Sequence, residues 1–205
     1  MKIAIIKYGM GNVASVQKAL NKLGYESIIT NSHEKIRKSD FIILPGVGSF
    51  GVAMENLKKL KLVDFLTREV VEKKKPFLGI CLGMQLLATH GSEPKEVDGL
   101  GWIRGEVVKM EFKQKLRIPH LGWNNIKITD NNTKFYIEFD GLDYYFIHGY
   151  HFVAKNPKDI TMKITYGIPM VVGLQRGNIY GVQFHPEKSQ DAGMKLIKKI
   201  IDKYA

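Results

Sequence analysis

Short apolar runs alternate with amphipathic stretches through the first half of the chain. KIAII (residues 2–6), YESIIT (25–30), FIILPG (41–46) and PFLGI (76–80) have the length and composition of strands. Helical spacing of apolar positions occupies Asn12 to Leu23, the region around Leu60 to Glu72, and Leu82 to His90 after the last of these strands. Strand and helix in strict alternation predict a parallel sheet with helices on both faces. The second half is richer in β-like runs, at 102–110, 124–129, 143–153, 161–166 and 170–184. A closing helix is predicted from Gln190 to Tyr204, with Met194, Leu196, Ile197, Ile200 and Ile201 on one buried face.

Composition narrows the setting. With 205 residues, 44% of them hydrophobic, and no repeat, low-complexity tract or long linker, residues 1–205 are expected to form one domain. The longest apolar runs, Phe41 to Leu44 and Tyr144 to Ile147, are far too short to cross a bilayer, and no secretory signal follows Met1 and Lys2. One cysteine cannot form an internal disulfide, so a reducing, cytoplasmic setting is expected. The net charge of +11 raises the question of nucleic acid. The lysines, however, scatter over helical stretches (Lys58, Lys59 and Lys61; Lys73 to Lys75; Lys195, Lys198, Lys199 and Lys203) without interleaved aromatics. A solvated surface, part of it complementary to an acidic partner protein, accounts for them better.

That single cysteine, Cys81, sits in GICLGMQ (79–85), between two glycines and directly after a strand. A GxCxG turn is the thiol form of a nucleophile elbow: Gly79 and Gly83 let strand and helix approach closely and push the central side chain into the open. A cysteine nucleophile needs a base, and the base an orienting group. In GVQFHPEKS (181–189), His185 follows an apolar strand and Pro186 ends it, bringing Glu187 two residues later. Cys81, His185 and Glu187 make a complete triad on paper. The amide of Leu82 comes with the elbow as one oxyanion donor, and the glycine-rich PGVG loop, through Val47 and Gly48, is the candidate for the second. Gln85, one helical turn past the cysteine, lies on the same face as the sulfur and can meet a substrate.

A competing signal lies at the first turn. Gly9, Gly11 and Ala14 have dinucleotide-binding spacing after a strand. The second strand ends in Thr30 and Asn31 where that fingerprint requires a carboxylate for the ribose, so nucleotide binding is not expected.

GxCxGxQ (Gly79, Cys81, Gly83, Gln85) together with HPE (His185, Pro186, Glu187) resembles the class I, triad-type glutamine amidotransferases. YGMGN (8–12), LPGVGSFGVAMENL (44–57), PHLGWN (119–124) and HPEKS (185–189) extend the likeness over essentially the whole chain. Within that family they resemble the glutaminase subunits that serve histidine biosynthesis and their near paralogues. The resemblance implies a flavodoxin-like three-layer sandwich, with a central mostly parallel sheet, helices on both faces and an additional antiparallel strand region in the second half. It implies L-glutamine as substrate, no cofactor and no metal. It assigns Gly149 and Tyr150 to backbone contacts with the substrate's amino-acid end, and has the amide of Val47 complete the oxyanion hole only in an activated state. The ammonia acceptor would be a separate chain, a (β/α)8-barrel cyclase or synthase forming a heterodimer, faced by Pro119, Trp123 and Asn124, with Lys188 offering an intersubunit salt bridge.

The chain departs from the family pattern at Lys7, where Asp or Asn is usual, and at Gly149, where Ser or Thr precedes the tyrosine. These departures keep a paralogue that feeds ammonia to an amino-sugar amidotransferase in surface polysaccharide synthesis as an alternative to the histidine-pathway subunit. A free-standing cysteine hydrolase of the same fold is a third reading, against which Gln85, HPE and PHLGWN weigh.

Overall fold

Unbroken apolar strands need cover on both sides, and this requirement sets the architecture. The computed structural model describes residues 1–113, 115–129 and 133–205. The chain runs through β1 (Lys2–Ile6), α1 (Val13–Lys22), β2 (Glu26–Thr30), α2 (His33–Arg37), β3 (Phe41–Gly46), α3 (Phe50–Lys59) and α4 (Leu62–Thr67). A π-helical turn at Arg68–Glu72 leads to β4 (Phe77–Cys81) and α5 (Leu82–Gln85). Then come β5 (His90–Gly91), β6 (Val97–Asp98), β7 (Gly105–Lys109), β8 (His120–Asn125), β9 (Lys127–Ile128), α6 (Thr133–Tyr136), β10 (Asp143–His148) and β11 (Tyr150–Ala154). The last elements are β12 (Ile160–Tyr166), β13 (Ile168–Arg176), β14 (Ile179–Val182) and α7 (Gln190–Asp202).

Strands β2, β1, β3, β4 and β14 lie side by side in that order, all parallel. Beyond β14 the sheet turns antiparallel through β13, β11 and β7, with β5 and β6 at the far edge, and β12 and β9 branch from β13. Strands β8 and β10 form a separate antiparallel ribbon. This is the parallel centre with an antiparallel region in the second half that the pattern and the resemblance implied.

Successive side chains on a strand point to opposite faces. Ile3 and Ile5 of β1, Phe41 and Ile43 of β3, and Leu78 and Ile80 of β4 pack with Val16 and Leu20 of α1 and Leu196 and Ile200 of α7. The alternate positions Ala4, Ile6, Ile42, Leu44 and Phe77 pack with Phe50, Met54 and Leu57 of α3 and Leu62 and Leu66 of α4. Each such Leu, Ile or Phe contributes about 1.5–3 kcal/mol by leaving water. Among the described residues no helix is long and apolar enough to cross a membrane.

Several boundaries differ from the expectation, each for a tertiary reason. The helix predicted from Leu82 to His90 stops at Gln85. The carbonyls of Leu86, Leu87 and Ala88 accept instead from the amides of Leu100 (2.8 Å), Ile103 (3.0 Å) and Gly101 (2.9 Å), so helical bonding cannot continue. The helix expected around Leu60 starts at Leu62, because Lys61 is left-handed with φ 55°. Helix α3 lies in the glycine-bearing LPGVGSFGVAMENL stretch, to which the apolar pattern assigns no helix. Its first turn is held by remote Glu93, whose Oε2 accepts from the Phe50 amide (3.2 Å) and whose carbonyl accepts from the Gly51 amide (2.9 Å). The run 143–153 divides at Gly149, between β10 and β11, and 170–184 divides at a turn through Gly177.

Strand β4, α5 and β3 approach more closely than side chains would allow. A Cβ on Gly83 would lie 1.8 Å from the Leu44 carbonyl oxygen, and one on Gly79 would lie 2.4 Å from the Gly83 oxygen. Gly83→Ala should therefore destabilise the protein by about 3 kcal/mol or more in urea unfolding, because the obstacle is backbone that cannot swing aside. A loss below about 0.5 kcal/mol would show that the elbow does not depend on this contact.

Candidate active site

Strand β4 delivers Cys81 in a conformation that L-residues rarely adopt, φ 54° and ψ −110°. A non-glycine residue held there marks a strained turn of the kind that projects a nucleophile. The thiol is nearly buried. The Ile147 carbonyl lies 3.8 Å from the sulfur as an acceptor, and the Gln183 Nε2 donates to it at 3.6 Å.

His185 follows β14 and is fixed through its own backbone. Its amide donates to the Tyr145 carbonyl (2.9 Å), and its carbonyl accepts from the Ser189 hydroxyl (2.7 Å), which in turn accepts from the Tyr145 amide (3.0 Å). The Pro186–Lys188 turn then folds Glu187 back, so that its Oε1 meets His185 Nδ1 at 2.8 Å with both side chains buried. Nε2 is buried without a well-formed hydrogen bond and lies in the field of the Cys81 sulfur. Burial opposes the charged ring, but Cys81 and Glu187 together outweigh it and raise the imidazole pKa to about 10. The structure thus brings together the three residues that the sequence paired on paper.

Cys81 opens onto a cavity of about 260 Å³ whose walls include Val47, Gly48, Leu82, Gln85, Pro119, Gly149 and Tyr150. Gln85 is anchored rather than free: its Nε2 donates to the Tyr150 carbonyl and to Gln183 Oε1, each at 3.0 Å. Four further wall residues, Ser49, Glu93, Ile147 and His148, were not singled out from the sequence. Burial raises the Glu93 carboxyl pKa, against the Phe50 amide, which lowers it. Glu93 and Ile147 lie in segments with no motif of their own, and only the fold carries them to the cavity.

A pair of buried histidines lies behind the Tyr150 wall. His148 Nδ1 donates to the Tyr150 carbonyl at 2.9 Å, which leaves its Nε2 to accept from His120 Nδ1 at 3.3 Å. Burial lowers the pKa of His148 to about 3, with adjacent histidines adding to the effect, and that of His120 to about 4. Both rings are neutral at physiological pH while His185, close by, is charged.

The β8–β10 ribbon carries an exposed apolar strip beside the cavity. Leu121 is 60% exposed and Trp123 49%, paired across the ribbon with Ile147 and Tyr145. Pro119 is exposed at the cavity rim, and the Lys188 ammonium stands 5.8 Å from the Tyr145 ring. Asn124 falls elsewhere: strand alternation turns it from Trp123, and its Nδ2 donates to the Thr165 carbonyl at 3.4 Å. The first turn packs against the site's frame, since a Cβ on Gly11 would lie 2.7 Å from the Gly46 Cα. Among the described residues no group of three His, Cys, Asp or Glu is arranged to hold a metal ion.

The family model for glutamine amidotransferase class-I matches residues 4–203. Among curated proteins, the chain is 46% identical over 199 residues to "Imidazole glycerol phosphate synthase subunit HisH 2" of Methanococcus maripaludis, covering 97% of this chain and 98% of that protein. It is also 46% identical over 203 residues to the subunit of the same name in Vibrio vulnificus, covering 98% and 94%. Among solved structures, that of PurLQS from Thermotoga maritima superposes with a TM-score of 0.77 at 19% identity, covering 100% of this chain and 99% of that one, and shows the shared fold.

The electrostatics make a specific expectation. In Cys81→Ala, one of the two groups that hold the proton on His185 is gone while burial is unchanged. The His185 pKa should fall from about 10, followed by the imidazole resonances in a pH titration. An unaltered value would mean that the sulfur and the ring do not interact.

Proposed function

Because the chain belongs to the class-I glutamine amidotransferases, we propose that it is the glutaminase subunit of an imidazole glycerol phosphate synthase. In this role it hydrolyses L-glutamine to glutamate and ammonia and passes the ammonia to a separate (β/α)8-barrel cyclase in a cytoplasmic heterodimer. The observation that carries the reading is Cys81 strained onto the floor of a cavity, with the buried His185–Glu187 pair behind it.

His185 already holds the thiol's proton in the resting ion pair, and Glu187 holds the ring's Nδ1 proton and offsets its charge. The thiolate attacks the side-chain carboxamide carbon of glutamine, and the oxyanion that forms is stabilised by the Leu82 amide and the peptide at Val47–Gly48. His185 returns its proton to the departing nitrogen, and ammonia leaves. Water, activated by the same ring, then cleaves the thioester to glutamate and restores the thiol. Gln85 braces the wall at Tyr150, the backbone of Gly149 and Tyr150 meets the amino-acid end of the substrate, and the Glu93 carboxylate suits its ammonium.

The strip of Leu121, Trp123 and Ile147 beside the cavity mouth suits a partner that covers the site and keeps ammonia from water, with Trp123 as anchor. Lys188 stands at the same edge, available to an acidic group of the partner. Asn124 would join this interface only through its backbone or after turning from Thr165. Lys7, exposed after β1, and Gly149 at the cavity wall favour the second reading, a paralogue supplying an amino-sugar amidotransferase.

Cys81→Ala or Cys81→Ser should abolish glutamine-dependent synthesis in the reconstituted complex and leave ammonia-dependent synthesis intact. His185 variants should be nearly as damaging and Glu187 variants less so, because the orienting group contributes less than the base. Undiminished glutaminase activity in Cys81→Ala would end the triad assignment.

Gly48, at φ 109°, leaves the Val47–Gly48 peptide free to reorient when a loaded partner binds. Turnover should therefore be slow for the isolated chain and rise on adding the barrel partner and its acceptor ligand. An oxyanion donor is worth on the order of a hundredfold to a thousandfold in rate. Equal rates in all three states would favour a free-standing hydrolase, and the barrel that activates identifies the pathway.

A further inference from the structure

Gln183 is fully buried, its backbone amide tied to the Val172 carbonyl at 2.9 Å, and its side chain reaches the cysteine sulfur. It stands two residues before His185, yet the triad chemistry gives it no task. A carboxamide has a donor end and an acceptor end, which have opposite effects on a thiol. An N–H directed at sulfur favours the thiolate, and a carbonyl oxygen there favours the thiol.

The surrounding hydrogen bonds decide which end faces Cys81. The Tyr150 carbonyl can only accept, so Gln85 must present its Nε2 to it at 3.0 Å. The same Nε2 is 3.0 Å from Gln183 Oε1, which therefore accepts, and Gln183 Nε2 is left to donate to Cys81 at 3.6 Å. At the other end of the chain of bonds, His148 Nδ1 also donates to the Tyr150 carbonyl, and its own Nε2 accepts from His120. Two donor arms thus converge on the Tyr150 carbonyl, one from His120 through His148 and one from Gln85, and from Gln85 the bonds run outward through Gln183 to the sulfur.

We infer that Gln183 is a catalytic residue whose side-chain N–H stabilises the Cys81 thiolate, with Gln85 and the Tyr150 carbonyl as the positioning groups that keep that N–H turned to the sulfur. The assignment rests on Cys81 being the nucleophile. Other groups act on the same sulfur. From β10, the Ile147 carbonyl opposes the thiolate. From beyond β14, the His185 imidazolium, backed by Glu187, favours it. Beyond the end of β1, the buried Tyr8 hydroxyl, which has no hydrogen-bond partner, is raised in pKa by burial first and then by the charge on Cys81. Gln183 is the neutral donor that offsets the Ile147 carbonyl.

Cys81 is the chain's single cysteine, so alkylation by iodoacetamide reads this sulfur alone. Rates would be measured against pH for the unmutated protein, for Gln183→Met, which keeps the length but removes the donor, and for Gln183→Asn, which keeps the amide but withdraws it by a methylene. In both variants the pH of half-maximal reactivity should rise by about one unit, the size of a modest hydrogen bond to a charged group. In the unmutated protein, where folding is not at issue, the Gln183 side-chain amide resonance should move as Cys81 titrates. Superimposable alkylation profiles, or an amide resonance indifferent to the sulfur's charge, would overturn the inference. These measurements follow the sulfur and not turnover. Failure of the nucleophile assignment shows separately, as glutaminase activity surviving in Cys81→Ala.

Discussion

The close passage of β4 and α5 across the end of β3 is the constraint on which the site depends. With Gly83 against the Leu44 carbonyl and Gly79 against Gly83, the backbone has no room for a wider turn, and Cys81 is forced into its left-handed conformation. The same approach brings the PGVG loop, which continues from β3, to the sulfur's side of the cavity. Cys81 and the PGVG loop are thus positioned by one packing contact. It holds because both faces of these strands are sealed by helices, α1 and α7 on one side and α3 and α4 on the other.

Around that frame the site separates charge over a short range. His185 keeps its proton because two partners outweigh its burial, whereas His148 and His120, buried without a carboxylate, stay neutral. Neutral rings can pass hydrogen-bond polarity along in one direction, each donating on one side and accepting on the other, which a charged ring could not do. The division of labour follows from the placement of Cys81 and Glu187 beside one histidine and not the others.

What was legible in the sequence was what is local. GICLG and HPE declare their geometry because turn, nucleophile, base and orienter lie within a few residues of their structural causes, and the apolar runs of β1, β3 and β4 declare two-sided burial. Contacts between remote segments were not legible. Glu93 meets the Phe50 amide 43 residues away, His120 meets His148 across 28, and Gln183 meets Cys81 across 102. The start of α3 was missed for this reason, and so was the true end of α5, whose next carbonyls are taken by the 99–103 segment. The dinucleotide-like spacing at Gly9 and Gly11 was legible but ambiguous. Only the packing of Gly11 on Gly46 shows that Gly11 serves backbone against backbone.

The backbone at position 81 has a thermodynamic meaning of its own. A residue with a Cβ held at φ 54°, ψ −110° costs on the order of 1–3 kcal/mol, and glycine would relieve it. The residue that would make this fold most stable at that position has no thiol and could perform no chemistry. The elbow is therefore a point where stability and reactivity select for different side chains, and the densely packed core on either side of β4 supplies the margin that lets a cysteine remain there.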